Sequence, residues 1–236
     1  MADRAPTRPV ARPLPVAAVL FDLDGTLADS AGDLAGAINR IRGDRGLAPV
    51  PVDRLRPHAS SGARGLIGAG MGIAPGDPSY IELRDTFLAY YAEGLAETTR
   101  LFDGVPALLA TLEARALPWG VVTNKAERFT TPVVAALGIA GRAAVVVCGD
   151  TTPHPKPHPA PLLHAAATLG IAAEQCVYVG DDLRDVQAGN AAGMPTLVAE
   201  YGYLGVTGDS SSWPASGWIA TPAGLLAWLP DPAAKR

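Results

Sequence analysis

An apolar run that stops at two acids constrains this chain more than any other stretch. Val16 to Phe21 is short and rich in β-branched valine, and it ends at Asp22-Leu23-Asp24-Gly25-Thr26. A run of this kind, bounded by turn residues, reads as a buried strand. In parallel α/β sheets, ligands bind beyond the carboxyl ends of strands. Asp22 and Asp24 are therefore placed for chemistry. Two close carboxylates repel each other and call for a cation, and oxygen ligands suit a hard metal ion. Taken alone, the pair could also be no more than a turn.

The following sequence becomes helical. Ala31, Leu34, Ala35, Ile38 and Ile41 recur at helical spacing, which predicts a helix over Asp29 to Arg42 started by Asp29 or Ser30. From Gly43 to Thr99 no buried strand is expected. Helical candidates at 53–57, 61–69 and 78–96 are separated by prolines. After Leu101 the pattern alternates. Helices are predicted over 106–116, 127–137, 160–169 and 183–192, and strands over 118–122, 143–148, 175–179 and 195–198. Strands alternating with short helices imply βαβ units and a mainly parallel sheet. The helical block between two stretches of this pattern suggests an inserted cap. The division is then a core of residues 16–28 and 100–236, a cap of residues 29–99, and a disordered N-terminal extension of residues 1–15.

Polar residues follow each predicted strand. Thr123-Asn124-Lys125 follows the second. Gly149-Asp150 leads from the third to Lys156, and Gly180-Asp181-Asp182 follows the fourth, with Asp185 one turn on. In a parallel sheet these ends meet at one edge. Carboxylates there would hold Mg²⁺, while a hydroxyl, an amide and a lysine grip phosphate oxygens; such a set suits phosphoryl transfer. There is no Gly-x-x-x-x-Gly-Lys-[Ser/Thr] loop and no Gly-x-Ser-x-Gly elbow. His154 and His158 flank Lys156, but no further His or Cys stands at zinc-ligand spacing. Asp182 and Asp185 could alternatively do no more than cap the next helix.

These segments carry a resemblance. Asp22-Leu23-Asp24-Gly25-Thr26, Thr123 in Val-Val-Thr-Asn-Lys, Lys156 in Thr-Thr-Pro-His-Pro-Lys-Pro and Gly180-Asp181-Asp182-Leu183-Arg184-Asp185 resemble, in order, the four motifs of the haloacid dehalogenase superfamily in its phosphatase form. The resemblance spans about Val16 to Leu229. It implies an α/β fold with a three-layer, Rossmann-like core and an inserted α-helical cap. It also implies roles. Asp22 would be the nucleophile and a metal ligand. Asp24 would be the general acid and base, its carbonyl also on the metal. Asp181 would bind Mg²⁺ directly, with Asp185 and Asp182 in support. Thr123, Asn124 and Lys156 would hold the phosphoryl group, Lys156 also serving the catalytic step.

Within the superfamily the chain is most similar to the bacterial phosphoglycolate phosphatase group, through the segment around Lys156 and through Tyr201-Gly202-Tyr203. The resemblance implies a small carboxylated phosphate ester as substrate, foremost 2-phosphoglycolate. N-acetylmuramic acid 6-phosphate is the alternative, ahead of a sugar phosphate, a phosphoglucomutase activity or a dead phosphate-binding relative. Arg64, in Ser60-Ser61-Gly62-Ala63-Arg64-Gly65, is the expected cap residue for the substrate carboxylate.

Composition narrows the setting. A net charge of −4 gives no basic footprint for nucleic acid, and no apolar run reaches the ~20 residues of a membrane span. Residues 1–15 contain three arginines and no apolar stretch of signal-peptide type. Cys148 and Cys176 both lie in apolar runs, which points to a reducing cytoplasm rather than a disulfide framework. Partners beyond the small-molecule ester are not expected, and a monomer or homodimer is. Lysine is scarce: Lys125, Lys156 and Lys235 are the only three, so a lysine kept in mid-chain draws notice.

Overall fold

The computed structural model describes residues 13–230. The expected strand after Pro15 forms as β1 (Ala18–Phe21), the central strand of a six-stranded parallel sheet. Its neighbours are β4 (Trp119–Val122) on one side and β6 (Cys176–Gly180) on the other. β5 (Val145–Val147) lies beyond β4, while β7 (Thr196–Ala199) and β8 (Gly217–Ile219) lie beyond β6. Leu20 stands opposite Gly120 and Tyr178 in this register. Every residue of β1 is buried, as expected of a strand covered on both faces.

The period of two along β1 assigns its side chains to two layers. Val19 and Phe21 pack with α5 (Val105–Ala114), α6 (Glu127–Ala136) and a 3₁₀ turn at Pro222–Trp228. Ala18 and Leu20 face the opposite layer, made by α7 (Ala160–Leu169) and α8 (Leu183–Ala191). The chain is thus an α/β protein with helices on both faces of a parallel sheet. All strands run the same way, so Asp22, Thr123, Gly149 and Asp181 come to one edge.

Between the first two strands of that sheet lies a helical block. It contains α1 (Ala31–Asp44), α2 (Val52–Leu55), a 3₁₀ turn at Arg56–Ser61, α3 (Gly62–Met71) and α4 (Tyr80–Glu93). Ile38, Leu66, Ile67, Leu83 and Phe87 are buried in a second cluster, which Phe129 of α6 and Tyr203 also join. Each such side chain contributes about 1.5–3 kcal/mol by leaving water. The block is entered and left through two strands that the sequence pattern does not signal. These are β2 (Ala28–Asp29) and β3 (Arg100–Leu101), paired antiparallel. Two-residue strands are too short to show any periodicity. β8 is likewise unexpected, because its tryptophan sits in a stretch that reads only as a closing segment.

The expected extension over 1–15 falls mostly outside the described residues. In the part that is described, the Leu14 N–H donates to the Trp228 carbonyl at 2.7 Å. Among the described residues, no helix is long and apolar enough to cross a membrane. Cys148 and Cys176 are buried and unpaired.

One buried acid ties the exit of the helical block to its first helix. Asp33 of α1 accepts the N–H groups of Thr98 (2.8 Å) and Thr99 (3.1 Å), and both threonine hydroxyls as well. Burial alone would raise its pKa, but these donors outweigh burial and hold it below the usual carboxylate value. Its contribution is therefore present above the unfolded pKa and lost as pH falls through the folded one. We expect Asp33→Ala to lose about 2 kcal/mol at pH 7, with the gap to wild type closing below about pH 4. Parallel urea denaturation across that range measures both.

Candidate active site

Asp22 leaves the end of β1 and is almost fully buried. Its Oδ1 lies 2.9 Å from Lys156 Nζ, an ion pair at an angle that leaves this oxygen without a hydrogen bond. Lys156, buried in the loop after β5, also donates to Asp185 Oδ1 (2.7 Å), the Tyr178 hydroxyl (2.8 Å) and the Val122 carbonyl (3.1 Å). Burial works against its charge, yet Asp185 and Asp22 more than offset this and keep its pKa above the ordinary lysine value. Asn124 fixes this lysine's main chain. Its carboxamide accepts from Lys156 N–H and donates to Lys156 C=O, both at 2.9 Å.

Asp181, at the end of β6, is fully buried. It accepts from Thr26 Oγ1, Ser60 Oγ and the Tyr203 N–H, each at 3.0 Å. Glycines make the room. A Cβ on Gly25, itself at φ +88°, would strike the Asp181 carboxylate. One on Gly202 would strike the Gly25 carbonyl and the Asp181 side chain.

Carboxylate oxygens of Asp22, Asp181 and Asp185 all lie within 4.8 Å of one another. The cation facing these three acids is Lys156, shared between two of them. Burial, with Asp185 adding to it and Lys156 opposing it, pushes Asp22 up to about 6. Burial, then Asp22 and Asp185, push Asp181 well above the carboxylate range. The cluster therefore carries unbalanced negative charge, and an oxygen-only donor set matches a hard divalent cation.

Two expected ligands behave differently. Asp182 stays outside this cluster. It caps α8 by accepting from Arg184 N–H (2.9 Å) and pairs with the Arg184 guanidinium, Nε to Oδ1 at 2.7 Å. Asp185 completes the capping box by accepting from Asp182 N–H at 3.0 Å, so it serves both the cap and the acid cluster. The Asp24 carboxylate also turns away from the cluster. It accepts from Ser30 Oγ on one oxygen and from Lys125 Nζ on the other, the latter at 2.6 Å. That leaves only its carbonyl for a metal.

A cavity of about 430 Å³ opens between this edge and the helical block. Asp22, Asp24, Thr123, Asn124 and Lys125 form its floor, and Ser60, Ser61 and Gly62 one rim. Leu34, Phe87, Leu88, Tyr91 and Phe129 make an apolar wall, and Arg128 and Arg184 also line it. Arg64 does not. It is exposed and lines a neighbouring groove with His58, Gly65 and Gly68. α3 begins at Gly62 and places the expected cap residue on this neighbouring groove rather than on the cavity itself. Asn124 is also reassigned in part, since both ends of its carboxamide are taken by Lys156.

Sequence reasoning passes over several residues of this site. Lys125 is hinted at by the scarcity of lysine. Tyr178 sits in an apolar strand, where a hydroxyl needs a buried partner. Nothing in the local pattern separates Ser30 from an ordinary helix cap.

Known proteins are similar to this chain in sequence and fold. The model of the family described as "Haloacid dehalogenase-like hydrolase" matches residues 19–199. The chain is 44% identical over 214 residues to a phosphoglycolate phosphatase of Xanthomonas campestris pv. campestris, covering 90% of this chain and 95% of that one. It is 42% identical over 209 residues to an N-acetylmuramic acid 6-phosphate phosphatase of Pseudomonas aeruginosa, covering 89% and 92%. Among solved structures, a predicted phosphoglycolate phosphatase from Haemophilus somnus superposes with a TM-score of 0.78 at 27% identity, covering 90% of this chain and 97% of that one.

Millimolar Mg²⁺ should raise the melting temperature by a few degrees through binding to the native acid cluster. A chelator should reverse the shift. In Gly202→Ala, where the added methyl displaces Asp181, the shift should be largely lost. Thermal melts with and without the ion test this.

Proposed function

The chain belongs to the haloacid dehalogenase-like hydrolases, and from that membership we propose that it is a Mg²⁺-dependent phosphomonoesterase acting through Asp22. The observation that carries this reading is the buried cluster of Asp22, Asp181, Asp185 and Lys156 at one sheet edge. We assign residues 29–99 as the cap over a core of 16–28 and 100–236.

In the first step an Asp22 carboxylate oxygen forms a bond to phosphorus as the ester P–O bond breaks. The leaving oxygen takes a proton from Asp24. In the second step water attacks phosphorus and gives its proton to Asp24, and the bond to Asp22 breaks to release phosphate. Lys156 keeps Asp22 ionised and, with Thr123, faces the phosphoryl oxygens; Asn124 holds Lys156 in place. Mg²⁺, held by Asp22, Asp181 and the Asp24 carbonyl with Asp185 behind them, would neutralise phosphoryl charge and orient the group for in-line attack. The cap wall excludes water from the cavity.

The substrate class supported is a phosphate ester that also carries a carboxylate, with 2-phosphoglycolate foremost. Both curated relatives above are named for such esters. Arg128 takes the part expected of Arg64, since it lines the cavity. A second reading, N-acetylmuramic acid 6-phosphate, is favoured by the cavity itself. Its 430 Å³ and its wall of Phe87, Leu88, Tyr91 and Phe129 exceed what a two-carbon acid needs. The two buried free cysteines agree with a cytoplasmic setting.

Hydrolysis of p-nitrophenyl phosphate with Mg²⁺ tests the reaction. Asp22→Asn should lower kcat by about 10³-fold or more, since no carboxylate nucleophile remains. Turnover that survives this change would overturn the reading. In a kinetic panel, one of the two carboxylated esters should show a higher kcat/KM than simple sugar phosphates.

A further inference from the structure

Ser30 stands at the N-cap of α1, where serine ordinarily accepts an N–H from its own helix. It makes no such bond. Its side chain is fully buried, and its hydroxyl donates instead to Asp24 Oδ1. A second residue meets this helix end at its first two N–H groups. The Tyr203 hydroxyl, from the loop after β7, accepts from Ser30 N–H (2.8 Å) and Ala31 N–H (3.1 Å). It donates to Asp29 Oδ1 at 3.2 Å. A phenol has one proton and two lone pairs, so this hydroxyl is fully used.

Tyr203 is itself held from the core. Its N–H donates to Asp181 Oδ2 at 3.0 Å, and its ring packs against Phe102 with centroids 6.2 Å apart. Gly202 before it lets the backbone lie against Gly25 and Asp181. Arg56 closes the arrangement from the cap side, pairing with Asp29 at 2.7 Å.

We propose that Ser30 and Tyr203 are positioning residues for Asp24, forming a relay from the loop after β7, through the start of α1, to the acid–base carboxylate. The proposal rests on the assignment of Asp24 as acid and base made above. Asp24 Oδ2 is held by Lys125, an ammonium that can only donate. The positive charge of Lys125 makes Oδ2 the less basic oxygen, which leaves the exchanging proton to Oδ1, the oxygen that Ser30 orients. The Ser30 hydroxyl donates to one lone pair of Oδ1, so it keeps that bond while the exchanging proton uses the other lone pair through both halves of the reaction. In the first half the Oδ1 proton moves to the leaving oxygen as phosphorus changes partners. In the second half a water proton returns to it.

The test uses the leaving group. An alkyl phosphate needs its leaving oxygen protonated, whereas p-nitrophenolate departs without a proton. Ser30→Ala should slow the first turnover of 2-phosphoglycolate, or of whichever alkyl ester proves best, by about tenfold, a part of what a general acid supplies. The first-turnover release of p-nitrophenolate should change less than about twofold, because that step draws nothing from the acid. Tyr203→Phe keeps the ring and its packing, and should show the same selectivity at about threefold or more. The double variant should be no slower than Ser30→Ala alone, because both act through one contact. Equal losses on both substrates, no loss on either, or losses that multiply in the double variant would each overturn the relay. The Asp22→Asn control stands apart: if it still turned over p-nitrophenyl phosphate, the phosphatase reading itself would fail.

Discussion

Three buried carboxylates meet at the edge of the sheet beside one buried ammonium that pairs with two of them, and the surrounding structure is arranged to keep them there. Asp22, Asp181 and Asp185 would separate if free, because burial strengthens their repulsion. Each is held by a different part of the chain. Asp22 is fixed by its place at the end of the central strand. Asp181 is held by Thr26, Ser60 and Tyr203, and Asp185 by the capping box of α8 and by Tyr178. Lys156 alone does not balance their charge, and a divalent cation is the natural complement.

The same contacts join the core to the helical block. Ser60 reaches from its 3₁₀ turn to Asp181, while Arg184 of α8 donates to the Ser60 carbonyl at 2.6 Å. Asp24 is bonded to Ser30 at the start of the block and to Lys125 of the core. Lys125 also lies 4.9 Å above the Tyr91 ring in the cavity wall. The block therefore closes onto side chains that also carry the site's charge. Tied in this way, the block brings Leu34, Phe87, Leu88 and Tyr91 to the wall of the cavity beside the acids.

Much of this was readable from residue order. The run Val16–Phe21 and the polar residues after each later strand were enough to bring Asp22, Thr123, Lys156 and Asp181 to one edge, because parallel strands leave no other choice. The α/β class follows from the same alternation. What sequence could not supply were contacts between segments far apart in the chain. Arg64 was expected in the site because it is an arginine in a glycine-rich cap loop; the helix that begins at Gly62 places it on the neighbouring groove. Asp182 was one of several acids in a row, and only the helix start decided that it caps while Asp181 joins the cluster. Ser30 and Tyr203 are separated by 173 residues, so no local pattern pairs them. The two-residue strands β2 and β3 are too short to leave a periodic trace.

The central claim is that Asp22 attacks phosphorus and Asp24 serves the proton transfers. It is tested most directly by acid-quenching the Asp24→Asn variant with p-nitrophenyl phosphate and Mg²⁺ and weighing its peptides. Without its base, this variant should accumulate the covalent intermediate, so the peptide containing Asp22 should carry the added mass of one phosphoryl group. A phosphoryl group on any other residue, or hydrolysis at the wild-type rate with no labelled peptide, would contradict the account.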